Sequence, residues 1–388
     1  MEDFDVVVVG AGLAGLRAAG LLARRGVRVL LVDRKRSLAD SVHTTGIFVR
    51  RTLEDFPLPE DCLSRPVKRV KLYSPARRAL TLESPHEEFR VGRMADLYAR
   101  LLEEARRAGA AWSAATRYVG LDGADEGGTV VHLEREGSAR LVRVRYILGG
   151  DGARSRVARD LGLEENREWI VGVEEVLRGV PLKGPPCFHC FLDPRLAPGY
   201  LAWVVQDGEE THVGVGGYAE RFDAASALES FRAEMNERFD LSRAERVESR
   251  GGRIPVGGVL RRIANRRGLL VGDAAGAVSP LTAGGLDPCM RLSTLAATVV
   301  ADYLATGDES ALARYSGERF RARFVSRLWM RRMLASVRSR ALVEAGCAAL
   351  RVPPFGVLAR QVFFGRGSFP DVSDANAVAR ARARGASV

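Results

Sequence analysis

A short apolar run, Phe4 to Val9, breaks into Gly10-Ala11-Gly12-Leu13-Ala14-Gly15, and an Ala/Leu-rich pattern with helical spacing continues to Arg25. A continuous β-branched run reads as a strand buried on both faces. The three glycines then have separate tasks: Gly10 makes the tight turn, Gly12 lets the backbone approach a pyrophosphate, and Gly15 brings helix and strand together. Free amides at the helix start face the phosphate charge. Gly26 ends the helix, and Val27 to Val32 reads as a second strand with Asp33 and Arg34 at its carboxyl end. An acid there accepts hydrogen bonds from ribose hydroxyls. This βαβ unit commits the chain to an α/β fold around a Rossmann-like core. It does not separate NAD from FAD.

Two further glycine turns follow in a fixed order. Gly150-Asp151-Gly152-Ala153-Arg154-Ser155 comes after the strand-like run 141–148, and Gly272-Asp273-Ala274-Ala275-Gly276 comes after Leu269 to Val271. Each is a weak signal alone. The ordered set of three points to a flavin.

The pattern between the turns predicts a discontinuous cofactor domain at 1–66, 90–164 and 257–306. A β-rich substrate domain, 67–89 and 165–256, is inserted into it, and a helical region, 307–388, follows. Residues 37–64 read as irregular and polar. Met94 to Ala108 reads as an amphipathic helix ended by Gly109. Strands are expected at 130–133, 141–148, 169–177, 187–192, 200–206 and 212–217, with a helix at 224–238. The glycines of 212–217 suggest a bulged strand rather than a second nucleotide site. The end of the chain, from about Ser373, is expected to fray.

The net charge is +11, yet the arginines are scattered and form no basic block. That argues against a nucleic-acid-binding function. Acids at Glu2, Asp3 and Asp5 do not read as a secretory signal, and no apolar run reaches membrane-spanning length. Five cysteines in 388 residues do not make a disulfide framework. A cytoplasmic protein fits these features. The stretch 320–340 mixes Phe320, Phe324, Leu328, Trp329, Met330, Met333 and Leu334 with arginines. It reads either as a helix packed on the cofactor domain or as a peripheral contact with the inner membrane face.

With the three turns in hand, the chain resembles the two-dinucleotide-binding-domain flavoproteins that include para-hydroxybenzoate hydroxylase. Within that group it is most similar to the geranylgeranyl reductase family. The resemblance covers roughly residues 3–305. It implies FAD as cofactor, with Asp151 and Gly152 near the pyrophosphate and Asp273 on the ribityl and phosphate portion. It also places the loop Pro280-Leu281-Thr282-Ala283-Gly284-Gly285-Leu286 beside the flavin ring, and Arg93 near FAD. Gly276 stands where hydroxylases carry a histidine. The halogenase Trp-x-Trp-x-Ile-Pro signature is absent from the sequence. Thr44 occupies the place where these reductases often have a cysteine, and Cys289 and Ser293 replace small residues of the last helix.

The resemblance implies hydride transfer from reduced flavin to a double bond of an isoprenoid or other apolar molecule. The alternative is an FAD monooxygenase or oxidase acting on a natural-product scaffold. The reductant would be NAD(P)H, bound transiently, or a protein electron donor. His43, Thr44 and Thr45 are the candidates to line the protonation site, and His43 has the pKa suited to general acid work. It equally suits a loop-filling role. Tyr200 and Trp203 either wall the substrate cavity or belong to an ordinary core. Cys187-Phe188-His189-Cys190 lacks a second pair at zinc spacing, so no metal is expected.

Overall fold

The computed structural model describes residues 1–40, 42–125, 128–353 and 355–365. Strands Ala111–Ser113, Val29–Val32, Glu2–Val9, Ser138–Gly149, Gly128–Arg135 and Thr116–Asp125 lie side by side in that order, and Gly268–Leu270 pairs with Ser138–Gly149. Glu2–Val9 is parallel to both its neighbours, with Val9 opposite Gly149 and Val32. Val6, Val7 and Val8 are fully buried, as a strand covered on both faces requires. Helix Leu13–Ala23 packs against this sheet, against Met94–Arg107 and against the long helix Leu286–Thr306.

The second sheet runs Glu245–Pro255, Trp169–Arg178, Thr211–Gly217, Ala202–Gln206, Cys187–Phe191, Arg69–Tyr73 and Ala79–Glu83. Only Cys187–Phe191 and Arg69–Tyr73 pair in parallel. Helix Ala224–Phe239 covers one face through Phe231 and Met235, which meet Val213 and Val215. The opposite face turns towards the cofactor domain. The fold is thus α/β, Rossmann-like, with an inserted β-rich unit and a helical C-terminal part.

Several local expectations need correcting. The stretch 37–64 carries strand Ile47–Val49, helix Arg50–Asp55 and a short turn of helix, Glu60–Cys62. Ile47–Val49 pairs with Phe89–Val91, a partner too distant in sequence for local pattern to reveal. Strand Thr211–Gly217 has no bulge: its register runs unbroken against both neighbours. The stretch 320–340 is not one helix, because Gly317–Ala322 and Val325–Ser336 are separated near Phe324. Phe320, Phe324, Leu328 and Arg331 are buried against the protein, whereas Val325, Trp329, Met333 and Leu334 stay exposed. The expected frayed end lies outside the described residues.

Candidate functional site

The first two glycine turns press directly on one another. Gly10 has φ +99°, and a Cβ there would sit 2.3 Å from the Gly150 carbonyl oxygen. A Cβ on Gly15 would sit 1.8 Å from the Gly10 carbonyl oxygen. Gly272 of the third turn lies against Ala14, at 2.9 Å by the same measure. By contrast, a Cβ on Gly12 or Gly152 would meet no protein atom within 4 Å. Gly12 is the N-cap of helix Leu13–Ala23, and no side chain caps that end. Uncapped amides beside open space fit a pyrophosphate.

Asp33 stands at the end of its strand. One carboxylate oxygen accepts from the Ala11 amide at 2.7 Å and the other from the Lys35 amide at 2.9 Å. Arg34 beside it is exposed. The Asp151 carboxylate accepts from the Ser155 hydroxyl at 2.6 Å and from the amides of Arg156 and Val157 at 2.8 and 3.1 Å. Asp151 therefore helps cap helix Arg156–Asp160. Asp273 differs from both: among the described residues, no donor reaches its carboxylate. Burial alone pushes its pKa up to about 6. A half-buried carboxylate without a donor fits a ligand bearing hydroxyls, such as the ribityl chain of FAD.

Gly285, 3.6 Å from Asp273 Oδ1 by its ideal Cβ, opens helix Leu286–Thr306 without a side-chain cap. The loop from Pro280 to Gly284 is closed by the Ser279 amide donating to the Gly284 carbonyl at 3.0 Å. Asn166, which sequence patterns did not single out, donates to the backbone carbonyls of Ala153 and Asp273 at 3.1 and 2.8 Å. It ties the second glycine turn to the third. An isolated Asn in an irregular stretch carried no signal for this.

Arg93, which the resemblance sets near FAD, reaches the acids of a turn in the second sheet. Its guanidinium pairs with Asp207 at 3.0 Å, with Glu210 at 3.4 Å and with Glu209. The three acids of that turn draw it to the second sheet. Asp207, Glu210 and His212 bring one ligand-type atom each within 4.8 Å of one another, and Arg93 is the cation paired with both acids.

The face of the second sheet towards the cofactor domain has a row that crosses four strands in register: Trp203, Gly214, Glu174 and Arg250. Gly214 explains the row. A Cβ there would sit 2.3 Å from the Trp203 ring, so only glycine lets the indole cross the strand and donate to Glu174 Oε2 at 2.7 Å. Gly216 does the same for Tyr200, whose ring a Cβ would meet at 2.8 Å. The Tyr200 hydroxyl donates to the Thr282 carbonyl at 2.8 Å. Rather than forming a bulge, Gly214 and Gly216 therefore seat aromatic rings, and Gly217 lies against Pro198.

The loop 43–45 closes over this row. Thr45 donates to Glu174 Oε2 at 2.6 Å, Arg250 donates to the Thr44 carbonyl at 3.0 Å, and His43 Nδ1 lies 2.9 Å from the Gly251 carbonyl. His43 is exposed, and Thr44 and Thr45 are half-buried. Glu174 Oε1 also faces His212 Nδ1 at 3.3 Å, and His212 Nε2 lies 3.6 Å from Asp207. Burial would lower the pKa of His212, but the flanking carboxylates of Asp207 and Glu174 override it and hold it up at about 9. Burial would raise that of Glu174, but His212, Arg250 and the Thr45 hydroxyl keep it below the usual range. Asp207 is lowered too: His212 and the amides of Glu210 and Glu209 outweigh its burial. Sequence reading missed this cluster, because its members are single charges on separate strands.

Cys187 and Cys190 are free and buried. His189 between them is stacked on Tyr73, its Nδ1 lies 3.0 Å from the Tyr73 hydroxyl, and burial lowers its pKa to about 3. This is a neutral core histidine.

A family profile described as an FAD binding domain matches residues 3–330. The chain is 31% identical over 366 residues to digeranylgeranylglycerophospholipid reductase 1 of Methanopyrus kandleri, covering 88% of this chain and 93% of that protein. It is 28% identical over 329 residues to the digeranylgeranylglycerophospholipid reductase of Methanocella arvoryzae, covering 82% and 83%. Among solved structures, a geranylgeranyl bacteriochlorophyll reductase-like protein from Thermoplasma acidophilum has a TM-score of 0.82 at 21% identity, covering 95% of this chain and 98% of the other. Aklavinone-11 hydroxylase, solved with FAD and aklavinone, has a TM-score of 0.69 at 21% identity, covering 87% and 71%. The fold is shared by both kinds of enzyme, and by sequence this chain belongs to the FAD-binding flavoproteins of the geranylgeranyl reductase family.

Proposed function

We propose that this protein is an FAD-dependent reductase that saturates carbon–carbon double bonds of an isoprenoid lipid. The observation that carries the reading is the alignment with the M. kandleri reductase along 93% of that protein. Gly12, Gly152 and the amides of helix Leu13–Ala23 would hold the pyrophosphate, Asp33 the ribose and Asp273 the ribityl chain. The 280–286 loop would lie by the ring. Bound and reduced, FAD supplies the hydride. The protein's own part is to orient substrate, exclude water and deliver a proton. His43, Thr44 and Thr45 line the substrate space in this reading, and Tyr200 and Trp203 wall it beside them.

The reductant in this reading is NAD(P)H or a protein donor that visits the flavin. The substrate is a membrane lipid, and the exposed Val325, Trp329, Met333 and Leu334, with Arg323, Arg332 and Arg338 exposed around them, are the contact with the lipid surface. No described helix is long and apolar enough to cross a membrane.

The test starts from anaerobically reduced, FAD-loaded protein, followed by flavin absorbance. Geranylgeranylated phospholipid is added first, then air. Reoxidation by the lipid with a product heavier by two hydrogens per bond supports the reductase. Reoxidation by air alone overturns it in favour of a monooxygenase or oxidase, the activity of other proteins with this fold. Sedimentation with anionic vesicles, lost in the Trp329→Ser, Met333→Ser double variant, checks the membrane face.

A further inference from the structure

Saturating a double bond makes two C–H bonds, one from a hydride with its electron pair and one from a proton. We propose that the proton comes through a buried relay from His212 to Glu174 to Thr45, with Thr45 as the group that meets the substrate. The inference rests on the reductase reading above.

The geometry has three links. Thr45 lies on the loop that closes over the aromatic wall, and its hydroxyl is 2.6 Å from Glu174 Oε2. The other oxygen of Glu174 is 3.3 Å from His212 Nδ1. His212 and Glu174 are 1% and 3% exposed, so any proton they hold is shielded from bulk water. The row of register that brings Glu174 beside Trp203 also fixes its carboxylate plane, since Trp203 and Thr45 donate to the same oxygen.

The charged groups around His212 come from every side. Glu174 faces it from the neighbouring strand and Asp207 from the turn before its own strand. Arg250 lies beyond Glu174 at 3.5 Å and is itself held by Glu248 at 2.6 Å. Arg93, with Glu210 and Glu209, lies beyond Asp207. Helix Ala224–Phe239 packs on the other face through apolar side chains. Two carboxylates in direct contact with one imidazole keep it protonated at neutral pH.

The step balances. The Thr45 O–H bond breaks as the second C–H bond forms. His212 Nδ1 passes its proton to Glu174 Oε1, leaving a neutral imidazole, and the neutral carboxyl turns through half a revolution about its Cγ–Cδ bond to give that same proton to the Thr45 oxygen. Glu174 is a transient acid between the two transfers, and the Thr45 hydroxyl, which donates to Oε2 at rest, swings to the substrate before it gives up its proton. After the product leaves, solvent water returns a proton through the half-buried Thr45.

The test has two readouts on the FAD-loaded protein. In ¹³C-histidine NMR, one of the five imidazoles is expected to titrate near pH 9, to vanish in His212→Gln and to move down by at least one pH unit in Glu174→Gln. In single turnover with geranylgeranylated phospholipid at pH 7.5, Thr45→Val and Glu174→Gln are expected to be roughly a hundredfold slower or more. Thr45→Ser restores the rate, and reoxidation by air is unchanged in all three. Thr45→Val removes one hydroxyl and leaves the buried charges in place, so it tests the relay even if the charge variants fail to fold. An imidazole that is neutral above pH 8, or a Thr45→Val protein as fast as wild type, overturns the relay alone. A wild-type protein that reduces no isoprenoid overturns the reductase reading, and the relay with it.

Discussion

The hydroxyl of Tyr200 donates to the backbone carbonyl of Thr282 at 2.8 Å, so this side-chain bond fastens the second sheet to the loop Pro280–Leu286. Tyr200→Phe leaves the ring on Gly216 and removes only the bond. It is expected to cost about 1 kcal/mol of stability and to weaken FAD binding several-fold, because the 280–286 loop loses its tether. Thermal unfolding with and without FAD separates the two effects.

Gly15→Ala is the sharpest test of the first turn. Its Cβ would collide with the Gly10 carbonyl, which is backbone and cannot swing aside. Helix Leu13–Ala23 must shift, at a cost of about 3 kcal/mol or more. The protein is expected to purify without flavin, read directly from its visible spectrum. Gly12→Ala is different, since its Cβ meets no protein atom. It should fold normally and lose flavin affinity only.

FAD affinity should depend on pH through Asp273. Its carboxyl titrates at about 6 in the free protein because burial disfavours the charge. Under the proposed placement, ribityl hydroxyls would donate to the ionised form, and binding would then lower that value. Affinity is therefore expected to rise as pH increases through about 6 and to level off above 7. Asp273→Asn should bind more weakly at pH 7.5 and show a flat profile between pH 5 and 7. Flavin fluorescence quenching measures both.

Stability should carry the signature of His212. Its folded pKa of about 9 lies above the unfolded value of 6.5, so its contribution is complete below pH 6.5 and is lost as pH rises through about 9. The melting temperature is expected to fall over that window. His212→Gln should start lower, because Glu174 and Asp207 lose their partner, and should lack the decline. A melting curve that falls identically in both proteins would locate the effect elsewhere.

The cofactor half was legible because it is local. Gly10, Gly12 and Gly15 sit within six residues, and the turns at 150–152 and 272–276 each follow an apolar strand. The substrate face was not. The residues that meet there, Thr45, Glu174, Trp203, His212 and Arg250, come from one loop and four strands, and only register joins them. Gly214 and Gly216 did give a signal, but a glycine in a strand reads equally as a bulge or as close approach by a ring. Arg93 was singled out by the family resemblance, while its partners lie in a turn more than a hundred residues away, which local pattern does not reveal.

The contacts among the three glycine turns also bear on synthesis. Gly10 rests on Gly150, and Gly272 rests on Ala14, so the first turn is held by segments translated much later. A ribosome-bound chain that ends before Gly276 lacks the wall that completes the cradle. Such non-local closure is slow. Flavin capture thus reports on completeness: a chain truncated before the last Rossmann strand stays colourless, and a yellow one has finished assembling its core.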